Sequence, residues 1–325
     1  MMHRGDTTEP SPALFAGLDF LWLELTSLCN LECVHCYAES GPYVKKEDDL
    51  SPERYGELLI EAAALGCRKV QFIGGEPTLH PALPRLIDLA AQQGFSFIEV
   101  YTNATRISDA LLAQFAKHKV AVAASVYADD ADVHDAVTRH RGSHAATVAA
   151  LKRVVQAGLQ VRVGIVVMDE NRDRVEATIA FVRSLGIESV GTDRIRSFGR
   201  GANADSGTDI RELCGSCWRG SVCISPNGGV SPCIMSKFLP VGSVREQGLA
   251  DLLNSGRLRD ARARVYDEVW APSLTAREGG DANCDPACHP NCVPSCNPQC
   301  SPNCSPCFPH GKCNPELFCG PCNPA

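Results

Sequence analysis

The chain has 325 residues, 44% apolar and 21% charged, with net charge −7 and a pI near 5.7, ordinary values for a globular protein of about two domains. That balance leaves no basic footprint for nucleic acid or an anionic membrane, and no apolar run reaches the roughly 18 residues needed to span a bilayer. Residues 1–12 are polar and lack the apolar core of a signal peptide, so a cytoplasmic location is expected.

Residues 20–25 (FLWLEL) read as a strand. Residues 52–65 have helical periodicity, with Ser51 as N-cap and Pro52 at the first helical position. A short apolar run at 69–73 (KVQFI) predicts a second strand, followed by Gly74-Gly75. Helix is predicted at 83–93, ending near Gly94, then strand at 96–101 and helix at 109–117. A strand at 120–127 (VAVAASVY) precedes a helix at 145–157 that stops at Gly158. Residues 159–168 are β-rich, 172–185 are helical up to Gly186, and 189–193 form a sixth strand. Strands alternating with helices of this length make βαβ units and a parallel sheet. Six units are too few for a closed eightfold barrel, so an α/β partial (β/α)6 barrel is expected, with ligands at the C-terminal ends of its strands. Beyond Gly201 the alternation stops; 202–245 is loop-rich, and 249–265 reads as one helix or two short ones. The expected organisation is an extension at 1–17, a core at 18–201, a small cysteine-bearing domain at 202–283 and a tail at 284–325.

The chain has 18 cysteines, eight within residues 1–283 and ten within 284–325, where ten of the 21 prolines also lie. Disulfide scaffolds are short and cysteine-dense throughout, so a long cysteine-poor body without an export signal points to metal chemistry in a reducing compartment. The first cluster, Cys29-x3-Cys33-x2-Cys36, follows the first strand directly. Three soft thiolates on a short loop suit an iron–sulfur cluster with one iron left open, and the alternative is a zinc loop with His35 as fourth ligand. After the second strand comes Gly74-Gly75-Glu76-Pro77. Its glycines allow the backbone to approach a ligand closely, and Glu76 offers a carboxylate to an ammonium group.

The two motifs together resemble the radical S-adenosylmethionine superfamily, over roughly residues 18–245. The resemblance implies that Cys29, Cys33 and Cys36 hold a [4Fe–4S] cluster whose open iron takes S-adenosylmethionine, and that Gly74, Gly75, Glu76 and Pro77 meet its methionine amino group. It places Tyr37, Thr102, Asn103 and Ser125 near the same cofactor. It assigns no catalytic residue beyond the cluster. His134-Asp135 with Gly142-Ser143, Asn171, and Gly199-Arg200-Gly201 also fit the family. Arg194 or Arg196 could face the methionine carboxylate, whereas Asn171 and Ser143 have a plain alternative as helix caps.

Further on, Pro226-Asn227-Gly228-Gly229 is a turn signal between two short apolar strands, hence a hairpin that returns Cys233 toward Cys214 and Cys217. This resembles the SPASM or twitch domain and implies an auxiliary iron–sulfur cluster on Cys214, Cys217 and Cys233. A zinc hairpin is the alternative. Cys223 alternates with Val222 and Ile224 and reads as packing, as does Cys67.

In the tail every cysteine is followed two residues later by proline, and Cys284 to Cys304 recur every four residues. Proline at this density prevents helix and sheet pairing. The terminal spacing partly matches a full SPASM pattern, so Cys304, Cys307, Cys313 and Cys319 are candidates for a second auxiliary cluster. A zinc or other metal sink, a redox-labile tail and a self-modified tail are the alternatives.

The resemblance implies an enzyme that reductively cleaves S-adenosylmethionine to a 5′-deoxyadenosyl radical and removes a hydrogen atom from its substrate. Maturation of a ribosomally made peptide is the first reading, by crosslink, thioether or epimerisation. The second is a small-molecule decarboxylase or dehydrogenase of antibiotic biosynthesis, and a metal-storage or metal-sensing protein is the rival from another class. A flavodoxin- or ferredoxin-type electron donor is implied. Too few residues precede the first strand for a peptide-recognition domain, so a separate recognition partner is expected.

Overall fold

The computed structural model describes residues 17–44, 49–202 and 208–273. The candidate ligands Cys304, Cys307, Cys313 and Cys319 lie outside the described residues, as do nearly all of the expected N-terminal extension and the whole tail.

The elements run β1 (Phe20–Glu24), α1 (Pro52–Ala64), β2 (Lys69–Ile73), α2 (Leu83–Gln92), β3 (Phe97–Thr102), α3 (Asp109–His118), β4 (Ala121–Ser125), α4 (Ala131–Thr138), α5 (Ser143–Gln156), β5 (Val161–Val167), α6 (Val175–Ser184) and β6 (Ser189–Arg194). Then come β7 (Ser221–Ile224), β8 (Gly229–Ser231), β9 (Gly242–Ser243), α7 (Leu249–Leu253) and α8 (Gly256–Val265). Local chemistry sets several boundaries. Ser51 Oγ accepts from the Arg54 N–H at 3.2 Å and starts α1, and Gly94, at φ +80°, follows the end of α2 in the left-handed region.

One nine-stranded sheet runs β6-β5-β4-β3-β2-β1-β7-β8-β9. The pairs from β1 through β6 are all parallel. The ends of the sheet are β6 and β9, so the barrel is open. One face of the strands packs on the helices through Leu21, Leu23, Val70, Phe72, Val100, Val122 and Ile165. The opposite face lines the interior, and the register brings Trp22, Gln71, Glu99 and Ala121 abreast across four strands.

Two features of the fold were not expected. The helix α4 was not anticipated; Asp130 starts it by accepting from the N–H groups of Asp132 and Val133. The expected hairpin forms as β7–β8, but β7 also pairs in parallel with β1. The cysteine-bearing segment therefore continues the barrel sheet. Of the two readings for 249–265, the structure has the two short helices, broken at Asn254-Ser255, with Ser255 Oγ accepting from the Leu258 N–H. No helix among the described residues is long and apolar enough to cross a membrane.

Candidate functional site

The C-terminal ends of the strands surround a cleft partly open to solvent. Its wall includes Cys29, Cys33, Cys36 and Tyr37 from the loop after β1, Gly74 and Gly75 after β2, Asn103 after β3, and Ser125 at the end of β4. Sequence reasoning named all eight. It also named Glu76, Pro77 and Thr102, which do not line this cleft.

The physical reason lies in how the cysteine loop is docked. Beyond β1 the chain keeps bonding to the chain beyond β2: Gly75 N–H donates to Thr26 O at 2.6 Å and Glu76 N–H to Leu28 O at 2.9 Å. A β-carbon on Gly74 would lie 2.6 Å from Thr26 O, and one on Gly75 2.2 Å from Leu28 O. The glycines are thus required first by the protein's own cysteine loop, and only their remaining backbone surface faces the cleft. The Glu76 carboxylate is fully buried and accepts from Thr78 N–H, Thr78 Oγ1, Thr102 Oγ1 at 2.6 Å and Asn103 N–H at 2.7 Å. Burial raises its pKa, against the pull of those donors. It joins the end of β3 to the end of β2, and Thr102 is one of its donors.

The loop leans on α4 through Glu32 N–H to Thr138 O and Val34 N–H to Val137 O. Cys29 Sγ receives the Leu31 N–H at 3.4 Å and Asn103 Nδ2 at 3.7 Å. Burial pushes the thiols of Cys29 and Cys33 up to about 12. They are protonated near neutral pH until a metal displaces the proton.

The remaining family-like residues separate into kinds. Asp135 accepts from Gly142 N–H, Ser143 Oγ and His144 N–H, so the His-Asp and Gly-Ser segments together form the start of α5. His134 lines the cleft and its Nδ1 accepts the Tyr127 N–H at 3.2 Å. Burial lowers its pKa to about 4, which keeps it neutral. Asn171 caps nothing with its side chain; it donates to Tyr127 O and Val166 O and accepts from Met168 N–H, tying the ends of β4 and β5. Arg194 and Arg196 both line the cleft, but Arg194 pairs with Glu212 at 2.7 Å and Arg196 with Asp193 at 2.9 Å.

Cys214, Cys217 and Cys233 are buried together, with Cys217 in hydrogen-bond contact with the other two thiols, which raises its pKa well above the ordinary range. They share a core with Phe20, Trp22 and Ile73 on the inner face of the sheet. Cys223 is wholly buried on β7, abreast of Trp22, in keeping with a packing role. Cys67 is buried among the helix-facing core residues, its thiol pushed up to about 11 by burial.

Sequence reasoning missed several side chains on this wall and behind it. Tyr101 and Tyr127 line the cleft, with Tyr101 Oη 3.0 Å from Ser125 Oγ. Met235 reaches the cleft from two residues beyond Cys233. Lys237, four beyond it, pairs at 2.7 Å with the buried Glu24, which also accepts from Tyr37 Oη at 3.2 Å. Deeper in the barrel, Arg162 holds Glu99 by two bonds of 2.7 Å, and Gln71 Nε2 donates to the same carboxylate. A usable signal was present: Glu24, Gln71, Glu99 and Arg162 are polar residues in otherwise apolar strand segments.

The donor set fits an iron–sulfur cluster: three thiols on one wall, N–H groups on one sulfur, and backbone beside them for a small cofactor.

Compared with known families, residues 23–182 match the radical SAM superfamily, and residues 214–307 match the SPASM iron–sulfur cluster-binding domain. The second match takes in Cys304 and Cys307 and stops short of Cys313 and Cys319. The antilisterial bacteriocin subtilosin biosynthesis protein AlbA of Bacillus subtilis is 27% identical over 283 residues, covering 75% of this chain and 62% of that protein. The mycofactocin maturase MftC of Mycolicibacterium smegmatis is 32% identical over 206 residues, covering 61% of this chain and 51% of that protein. The chain thus spans 51 to 62% of the length of these relatives. Streptococcus suis SuiB bound to S-adenosylmethionine shares the fold, with a TM-score of 0.63 at 16% identity over 75% of this chain and 67% of that one.

Proposed function

We propose, from the premise that the chain belongs to the radical SAM superfamily and carries an iron–sulfur cluster-binding domain, that it reductively cleaves S-adenosylmethionine and matures a peptide substrate. The observation that carries this is the cleft where Cys29, Cys33 and Cys36 meet the Gly74-Gly75 backbone, Asn103 and Ser125. When bound, a [4Fe–4S] cluster with S-adenosylmethionine supplies a 5′-deoxyadenosyl radical able to take an unactivated hydrogen atom. The chain's own residues orient and enclose. Asn103 and Leu31 hold the Cys29 sulfur. Gly74, Gly75, Tyr37 and Ser125 present the surface for S-adenosylmethionine. Glu76, Pro77 and Thr102 support it from behind.

Cys214, Cys217 and Cys233 are proposed as ligands of an auxiliary cluster, and Cys304, Cys307, Cys313 and Cys319 as ligands of a second one, the first two of these falling within the matched domain. A flavodoxin- or ferredoxin-type protein would supply the electron. The peptide assignment rests on the relatives, whose names describe a bacteriocin biosynthesis protein and a maturase. A separate recognition partner belongs to the same proposal.

The test is anaerobic reconstitution, then incubation with S-adenosylmethionine, a reductant and a precursor peptide encoded beside this chain's gene. A mass change in the peptide that requires S-adenosylmethionine supports the reading. 5′-Deoxyadenosine formed at the same rate with and without every peptide tried, and no change in peptide mass, would point to the small-molecule reading.

A further inference from the structure

The turn after β6 lies against the cysteine loop along its length. Gly199 has φ +53°, and a β-carbon there would lie 2.5 Å from the carbonyl oxygens of both Cys36 and Tyr37. One on Gly201 would lie 3.3 Å from His35 O. Between these glycines Arg200 engages three carbonyls of the loop. Its backbone N–H donates to Cys36 O at 3.0 Å, its Nε to Cys33 O at 2.8 Å and its Nη2 to Ser40 O at 2.8 Å. The guanidinium therefore spans the loop from Cys33 to Ser40, with a fork geometry that lysine cannot copy.

Arg200 lines the cleft beside Cys29, Cys33 and Cys36, and its guanidinium nitrogens stand within hydrogen-bond distance of the Cys33 and Ser40 carbonyls. The two other arginines on the cleft wall are differently engaged: Arg194 is turned to Glu212 and Arg196 to Asp193. The described partners of Arg200 are backbone carbonyls, which carry no full charge.

We propose that Arg200 is a positioning residue for the cluster held by Cys29, Cys33 and Cys36, clamping their loop and, through its fixed positive charge, raising the reduction potential of that cluster. Adding an electron to a cluster with three thiolate ligands increases its negative charge. A nearby cation stabilises the reduced form more than the oxidised one, and outer-shell charge and hydrogen bonding are established levers on such potentials. The inference rests on the reading of the three cysteines as ligands, which iron counting on Cys36→Ala tests separately.

The experiment compares wild type, Arg200→Gln and Arg200→Lys after anaerobic reconstitution of the full chain. Iron per chain, circular dichroism and an electron paramagnetic resonance redox titration are recorded, following the signal that S-adenosylmethionine perturbs. Arg200→Gln is expected to keep native circular dichroism and to titrate at a lower potential than wild type. Arg200→Lys keeps the charge and loses the fork, so its potential is expected to stay near wild type while its cluster is lost faster in air. An Arg200→Gln potential equal to wild type would overturn the proposal. If Arg200→Gln holds no cluster, the lysine variant decides: a cluster at wild-type potential supports the role of charge. Loss of the cluster in both variants, with native circular dichroism, overturns it in favour of packing alone.

Discussion

Replacing Gly75 by alanine tests how the cleft is assembled. Gly75 does not need a left-handed conformation, so backbone strain is not at issue; the obstacle is space. The new β-carbon would lie 2.2 Å from Leu28 O and 2.6 Å from Leu28 C. Comfortable contact is about 3.5 Å, so the two chains must part by roughly 1 Å. The bonds from Gly75 N–H to Thr26 O and from Glu76 N–H to Leu28 O lie within that contact. Losing both costs about 2 kcal/mol in total, and forced overpacking adds about 1 to 3 kcal/mol, which gives roughly 3 to 5 kcal/mol. For a chain of this size that is on the order of 10 °C in Tm. Because the displaced segment leads directly into Cys29, iron content after reconstitution should fall as well. Gly94→Ala is the control: φ is +80° with nothing within 4 Å of the new β-carbon, so a cost of about 1 kcal/mol and full iron loading are expected. Thermal denaturation and iron assay of both variants provide the comparison. If Gly75→Ala matches Gly94→Ala in both measurements, the docking argument is wrong.

The barrel interior and its histidine give two further tests. Arg162→Met leaves the Glu99 carboxylate buried without its cation, and a loss of about 3 to 5 kcal/mol is expected in chemical denaturation; the double variant with Glu99→Leu should recover much of it. His134 is held near pKa 4 in the folded chain against 6.5 ordinarily, so the unfolded chain binds more protons between those values. Stability should therefore be complete above pH 6.5 and fall as the pH drops toward 4, by up to about 3 kcal/mol. His134→Asn should flatten that part of the profile, measured by urea denaturation at successive pH values.

Much of the fold was legible because strand and helix periods are local signals. The six strands of the barrel, the Ser51 cap and the glycine stops at Gly94, Gly158 and Gly186 all depend on neighbours in sequence. The parallel pairing of β7 with β1 is not local: Phe20 and Ser221 are partners in the register, and nothing near either residue announces the other. The same holds for Glu76, whose motif was legible but whose direction was not. Its carboxylate is turned by Thr102 and Asn103, which arrive from the next strand. Lys237 was passed over because a lysine in a loop ordinarily reads as solvated, and only the fold brings it to Glu24. The Gly-Arg-Gly turn was noticed as a family-like segment, yet its three bonds to the cysteine loop arise only because β6 ends beside that loop.

The most direct test of the central claim is Cys36→Ala, reconstituted without oxygen beside the wild type, with iron and sulfide counted and 5′-deoxyadenosine measured after reduction in the presence of S-adenosylmethionine. The account predicts that the variant loses about one cluster's complement of iron while keeping its fold, and that 5′-deoxyadenosine formation is abolished. Wild-type iron content together with wild-type 5′-deoxyadenosine formation in Cys36→Ala would contradict it.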